Sequence, residues 1–155
     1  MNEAKKLCKD VLIKPFEGLA KRLPDGRVQA YPDPATKGHP WTIGWGATGP
    51  NINPETIWTM QQCEDALDHH VEYFWRELIK QSPTIQTALP RRIAAVISWI
   101  YNLGPRNYQI STFKKRIDVG DWDGAAYECP KWNKAAGRVL PGLTRRRAAE
   151  AALMR

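Results

Sequence analysis

The sequence predicts an α+β fold in which a small antiparallel sheet is kept apart from a larger group of helices. Three observations carry this. Residues 19–52 are rich in Gly and Pro and hold short β-like runs, RVQAY and WTIGWG, between strong turn signals. From Ile57 to Leu78 the apolar residues step by three or four, the mark of a long amphipathic helix. Beyond residue 84 the patterning stays helical and is broken by Gly104, Gly120 and Gly137. Strands gathered in one segment and helices in the rest indicate α+β rather than alternating α/β.

The elements follow in order. Residues 3–18 read as a helix, with Val11, Leu12, Phe16 and Leu19 at helical spacing, Pro15 as a kink and Gly18 as its stop. Pro24-Asp25-Gly26 marks a turn between LAKRL and RVQAY, and a second turn-rich piece, Pro32 to Pro40, leads into Trp41-Thr42-Ile43-Gly44-Trp45-Gly46. On an alternating strand Trp41 and Trp45 share one face and Thr42 points to the other. Asn53-Pro54-Glu55 reads as a helix start, so the long helix is expected over about 54–80. Ile57, Met60, Cys63, Leu67, Val71, Phe74 and Leu78 form its apolar face, and Trp58 falls on it. A break containing Pro83 follows. Residues 90–103 are nearly all apolar and read as a buried helix ending at Gly104-Pro105. Shorter helices are expected near 111–119, 121–129 and 142–154. The 155 residues make one domain with two lobes: a small one over about 19–52, and a helical one over about 84–155 that includes the N-terminal helix.

Composition narrows the function. The chain is 43% hydrophobic and 25% charged, ordinary for a globular protein, and no apolar run approaches a membrane span. Cys8, Cys63 and Cys129 are too few and too scattered for a disulfide framework or a zinc site. The net charge of +7 is uneven. Residues 88–155 hold 13 basic and 5 acidic side chains, whereas residues 51–87 hold 2 and 6. A basic half suits an anionic partner, or serves only solubility.

Among ionisable groups, Glu17 follows Phe16 at a helix end, where partial desolvation would suit a carboxyl to donating a proton. Asp33 lies on a turn, a wetter setting for a carboxylate that stays ionised. Such a pair is what glycoside hydrolysis needs, although any chain of this length offers many carboxylate pairs. His39, His69 and His70 lack metal-ligand spacing, and no nucleophile–His arrangement or phosphate-binding loop is present.

Several motifs line up at once. Ile13-Lys14-Pro15-Phe16-Glu17-Gly18, Tyr31-Pro32-Asp33 and Trp41-Thr42-Ile43-Gly44-Trp45-Gly46 together resemble the catalytic segment of the phage lysozymes of glycoside hydrolase family 24. Downstream, Ala95 to Gly104, Ser111-Thr112-Phe113, Gly120-Asp121-Trp122, Lys131-Trp132 and Gly142-Leu143 with Arg146-Arg147 and Glu150 follow in that family's order. The resemblance covers about residues 11–154 and implies a lysozyme-like fold, two lobes joined by a long helix with a site in the cleft between them. It places the family's Glu, Asp and Thr at Glu17, Asp33 and Thr42. Glu17 would then be the general acid, Asp33 the carboxylate that assists water or steadies positive charge, and Thr42 the holder of that water. Tyr101, Asn102 and Ser111 become sugar contacts on the helical side, and Arg146 a neighbour of Glu17. Fifteen residues separate Glu17 from Asp33 and eight separate Asp33 from Thr42, wider than the family's usual spacing. Asp25, with seven intervening residues, nearly fits that spacing. Asp33 is preferred for its Tyr-x-Asp context, since a Pro-Asp-Gly turn accounts for Asp25.

The resemblance implies a monomeric, inverting endolysin that hydrolyses the β-1,4 bond between N-acetylmuramic acid and N-acetylglucosamine in bacterial peptidoglycan. It implies no cofactor, no nucleic acid partner and no stable membrane insertion. No signal peptide or anchor is evident, so the expectation is a protein held in the host cytoplasm until a holin-type lesion opens the way to the wall. Three rivals compete: a lytic transglycosylase on the same substrate, a basic helical nucleic-acid-binding protein, and a wall-binding module without activity.

Overall fold

The computed structural model describes residues 2–34 and 36–155. Met1 and Ala35, the latter within the turn-rich piece expected from Pro32 to Pro40, lie outside the described residues. The chain forms two compact units. One is Ile13–His70; the other joins the residues up to Leu12 with Val71–Arg155.

The N-terminal helix is not uniform. α1 (Asn2–Leu7) runs into a π-helical stretch, Cys8–Ile13, and then into α2 (Lys14–Glu17). Pro15 has no N–H to donate, and its ring crowds the carbonyl of residue 11. A widened turn just before it relieves that clash. The wider register also changes the buried face. Cys8 and Ile13, five apart, are both fully buried with Leu12, whereas Val11, expected inside, is 46% exposed. Gly18 ends the helix at φ 67°, its N–H returning to the Lys14 carbonyl at 3.0 Å.

In the unit Ile13–His70 the sheet is minimal. β1 (Val28–Gln29) pairs antiparallel with β4 (Ile57–Trp58), two residues expected in the long helix. β2 (Thr42–Ile43) pairs with β3 (Ala47–Thr48), Thr42 opposite Thr48. A bridge between Tyr31 and Thr42 links the two pairs. Trp45 is not on the strand beside Trp41. It sits in the turn after β2, which Gly44 and Gly46 open at φ 62° and 96°, and is 6% exposed.

The long helix, α3 (Met60–Gln81), therefore starts later than expected. Asn53 makes a turn instead, its side chain accepting from Glu55 N and its own N–H reaching Thr56 Oγ1. The true start is a reciprocal cap: Thr59 Oγ1 accepts from Gln62 N at 3.1 Å and Gln62 Oε1 accepts from Thr59 N at 2.8 Å. Cys63, Leu67, Val71, Trp75 and Leu78 are its buried face, with Trp75 taking the place expected of Phe74. The residues of α3 up to His70 belong to one unit and those from Val71 onward to the other.

The second unit is built around α4 (Pro90–Leu103), in which every residue from Ile93 to Ile100 is buried. Helices apolar on all sides sit at the centre of a core. α1 and α8 (Pro141–Met154) pack against it. α5 (Pro105–Ile110), α6 (Thr112–Asp118) and α7 (Trp122–Glu128) lie between them in sequence. Trp99 stacks on Phe113 at 4.8 Å and meets Trp132 edge-on at 5.2 Å. Glu72 receives Lys5 and Arg76, which ties α1 to α3 and holds its carboxyl below the usual range, chiefly through the Lys5 hydrogen bond. A hairpin of β5 (Lys134–Ala135) and β6 (Arg138–Val139) stands where only a helix separator was expected. Ala136 and Gly137 both take positive φ at its tip.

Candidate active site

Glu17 closes α2, and Gly18 stops the helix immediately after it. The carboxylate is half-buried. It acts electrostatically on Tyr31, whose phenol is pushed above its ordinary pKa first by burial and then by the Glu17 charge. Tyr31 is also the ladder partner of Thr42: Tyr31 N donates to Thr42 O at 2.8 Å and Thr42 N to Tyr31 O at 2.9 Å. Asp33 comes two residues later. Its side chain accepts from Thr36 N at 3.0 Å, and its own N–H reaches Gly38 O at 3.0 Å, so it starts a tight loop. Thr42 donates to Pro40 O at 3.4 Å. Glu17, Asp33 and Thr42 thus lie in one unit, with Tyr31 as the residue that connects them.

The local frame is held by Lys14, to which the sequence motifs assign no role. Lys14, one helical turn before Glu17, reaches Glu64 Oε1 of α3 at 2.6 Å and lies 4.8 Å over the Trp45 ring. It ties the helix that carries Glu17 to the turn that follows Thr42. Its place, three residues before Glu17, was the signal available for it.

Asp25 is held within its own turn. Arg27 N donates to its Oδ1 at 3.0 Å and Arg27 Nε to its Oδ2 at 2.8 Å, and these bonds hold the carboxyl below its usual range. Both oxygens serve the turn.

The remaining candidates belong to the other unit. Tyr101 packs edge-on against Phe74 at 5.5 Å. Asn102 Oδ1 is buried and accepts no hydrogen bond from any described residue. Ser111 is 2% exposed and caps α6, accepting from Lys114 N at 3.0 Å and donating to Tyr108 O at 2.7 Å. Arg146 is buried with Ser98 and Glu150. Its Nη2 reaches Ser98 Oγ at 3.3 Å, and its Nε lies 3.5 Å from Glu150 Oε1. Arg147 grips the same carboxylate, Nε to Oε2 at 2.7 Å, and Ser98 Oγ donates to Oε1 at 2.7 Å. This cluster places two guanidiniums on one carboxylate in a core, and the i,i+3 and i,i+4 spacing of 146, 147 and 150 was its trace in the sequence.

A small sheet unit, a large helical unit and a helix shared between them define the lysozyme-like class of α+β folds. The muramidase domain of SpmX from Asticaccaulis excentricus superposes with a TM-score of 0.76 at 25% identity, over 99% of this chain and 95% of that one. Residues 14–150 match the phage lysozyme family model, and the chain belongs to that family. It is 36% identical over 147 residues to an endolysin of Acyrthosiphon pisum secondary endosymbiont phage 1, covering 92% of each. It is 35% identical over 142 residues to an endolysin of Bacillus phage PZA, of which it spans only about half, 51%.

Proposed function

We propose that this chain is a muramidase of the endolysin type, hydrolysing the β-1,4 bond between N-acetylmuramic acid and N-acetylglucosamine in peptidoglycan. Glu17 protonates the glycosidic oxygen, Thr42 holds the attacking water, and Asp33 orients that water or balances positive charge at the anomeric carbon. An oxocarbenium-like transition state needs a proton on one side and a nucleophile with negative charge on the other. The observation that carries this reading is the meeting of Glu17 and Thr42 at Tyr31: one through its charge, the other through paired backbone bonds. A β-branched hydroxyl on a strand positions a water at low entropic cost. Inversion at the anomeric carbon follows if water attacks directly. Asn102 supports a sugar contact through its unsatisfied buried acceptor. Tyr101 is assigned beside it in the sequence, and Ser111 caps α6.

The chain acts as a monomer, without cofactor or nucleic acid, on the wall once a lesion in the membrane gives access. No helix among the described residues is long and apolar enough to cross a membrane.

Clearing of a peptidoglycan suspension by wild type and Glu17→Gln tests the assignment. Loss of at least about a hundredfold is expected for removal of the acid, and equal clearing overturns it. Asp33→Ala should abolish clearing while Asp25→Ala leaves it unchanged; the reverse pattern moves the second carboxylate to Asp25. Mass spectrometry of the digest should find reducing ends, and anhydro-sugar ends would establish the transglycosylase instead.

A further inference from the structure

The helical unit contains a cavity of about 230 Å³ lined by none of the residues assigned to the reaction. Three segments wall it: the 3₁₀ turn Pro83–Thr87 with the start of α4, the end of α6, and the turn through Gly120 into Trp122. Two opposite charges line it, Arg92 and Asp118, and they form no ion pair with each other. Other bonds hold each of them in place. Arg92 Nε donates to Met154 O at the end of α8 at 3.0 Å, and its guanidinium lies 5.1 Å over the Trp122 ring. Asp118 Oδ2 accepts from Lys114 Nζ at 2.6 Å, and its Oδ1 accepts from Oγ of the fully buried Ser82 at 2.5 Å.

Both charges are thus fixed in advance, and both keep capacity to spare. Nη1 and Nη2 of Arg92 donate to no described residue. Each carboxylate oxygen of Asp118 has a second lone pair. Ile85 and Ile117, both buried, give the same cavity an apolar wall. The volume lies below the about 300–1,000 Å³ of drug-sized sites and suits a ligand of amino-acid size.

The charge arrangement selects among small ligands. A simple anion satisfies Arg92 but brings a second negative charge toward Asp118, and a simple amine does the converse. A neutral apolar molecule strips water from both charges and returns no hydrogen bond. A peptide terminus carries one of the two charges. A free α-amino acid carries both on one carbon, with a side chain left over for the apolar wall.

We propose that this cavity binds a free α-amino acid with an apolar side chain of about valine size, its carboxylate on the Arg92 guanidinium and its ammonium on Asp118. The inference does not depend on the muramidase reading.

Calorimetric titration of the full chain with both enantiomers of valine, with isovalerate and with isobutylamine tests it. Isovalerate lacks the ammonium and isobutylamine lacks the carboxylate. The better enantiomer of valine should bind at least about tenfold tighter than either analogue, because only the zwitterion makes both charged hydrogen bonds. Isovalerate binding as tightly as valine would reduce the cavity to an anion site and overturn the amino acid. Isobutylamine binding as tightly, or no binding of valine, overturns it equally. Arg92→Lys keeps the positive charge and loses the planar fork, and Asp118→Asn keeps an acceptor for Ser82 and loses the negative charge. Each should weaken valine about tenfold, with folding checked by circular dichroism, and undiminished binding in either overturns the assignment. If a variant fails to fold, amide shifts in wild type decide: valine should move Gly120 and Trp122, and shifts confined to other residues overturn the location.

Discussion

Lys14 shows how a charged side chain can serve geometry. Its ammonium satisfies Glu64 and rests on Trp45, so the last turn of α2 and the turn after β2 share one anchor. Lys14→Met keeps the stem and removes the anchor. Turnover should fall about tenfold through misplacement of Glu17 while KM holds, and Lys14→Arg should restore most of it; a change confined to thermal stability would make Lys14 purely structural. The same scale shows what could be read in advance. Glu17, Asp33 and Thr42 stood out because each sits in a short motif of fixed order. Tyr31 did not stand out as their common neighbour, because its role comes from a ladder bond to a residue eleven positions away, and local pattern carries no record of that pairing. Ser111, expected as a sugar contact, is a buried cap whose hydroxyl is engaged by Lys114 N and Tyr108 O.

Element boundaries were legible where chain chemistry and packing agree. α4 begins at Pro90 and ends before Gly104, as expected, since Pro suits a first turn and a glycine at φ 90° suits a stop. α3 was placed too early. Asn53-Pro54-Glu55 is a good local start, but the backbone of Ile57 and Trp58 is claimed by β1, and pairing across the sheet outweighs propensity. The helix then begins at the Thr59–Gln62 cap, a T-x-x-Q signature that was available in the sequence. Thr59→Ala should cost about 1 kcal/mol, measured by urea denaturation with an unchanged m-value. The β5–β6 hairpin was hidden because two-residue strands leave no alternation to detect, and its tip places a non-glycine, Ala136, at φ 51°.

On the scale of the whole molecule, charge and chain order matter most. The basic excess falls in residues 88–155, all outside the unit that holds the proposed acid, and it suits attraction to an anionic wall. Clearing of whole walls should therefore weaken steeply as salt rises, while cleavage of a short neutral oligosaccharide stays level; parallel salt responses would separate the charge from wall binding. The division of the chain has a further effect, on the order of assembly. A chain emerging from the ribosome can complete the unit Ile13–His70 as soon as residue 70 is clear. The helix made first has to wait, since α1 packs on α4, and α4 in turn is finished only by α8 at the far end of the chain. The opening residues of this protein are thus among the last to find their place, and a nascent chain halted before α8 would carry a finished sheet unit beside an unfinished helical one.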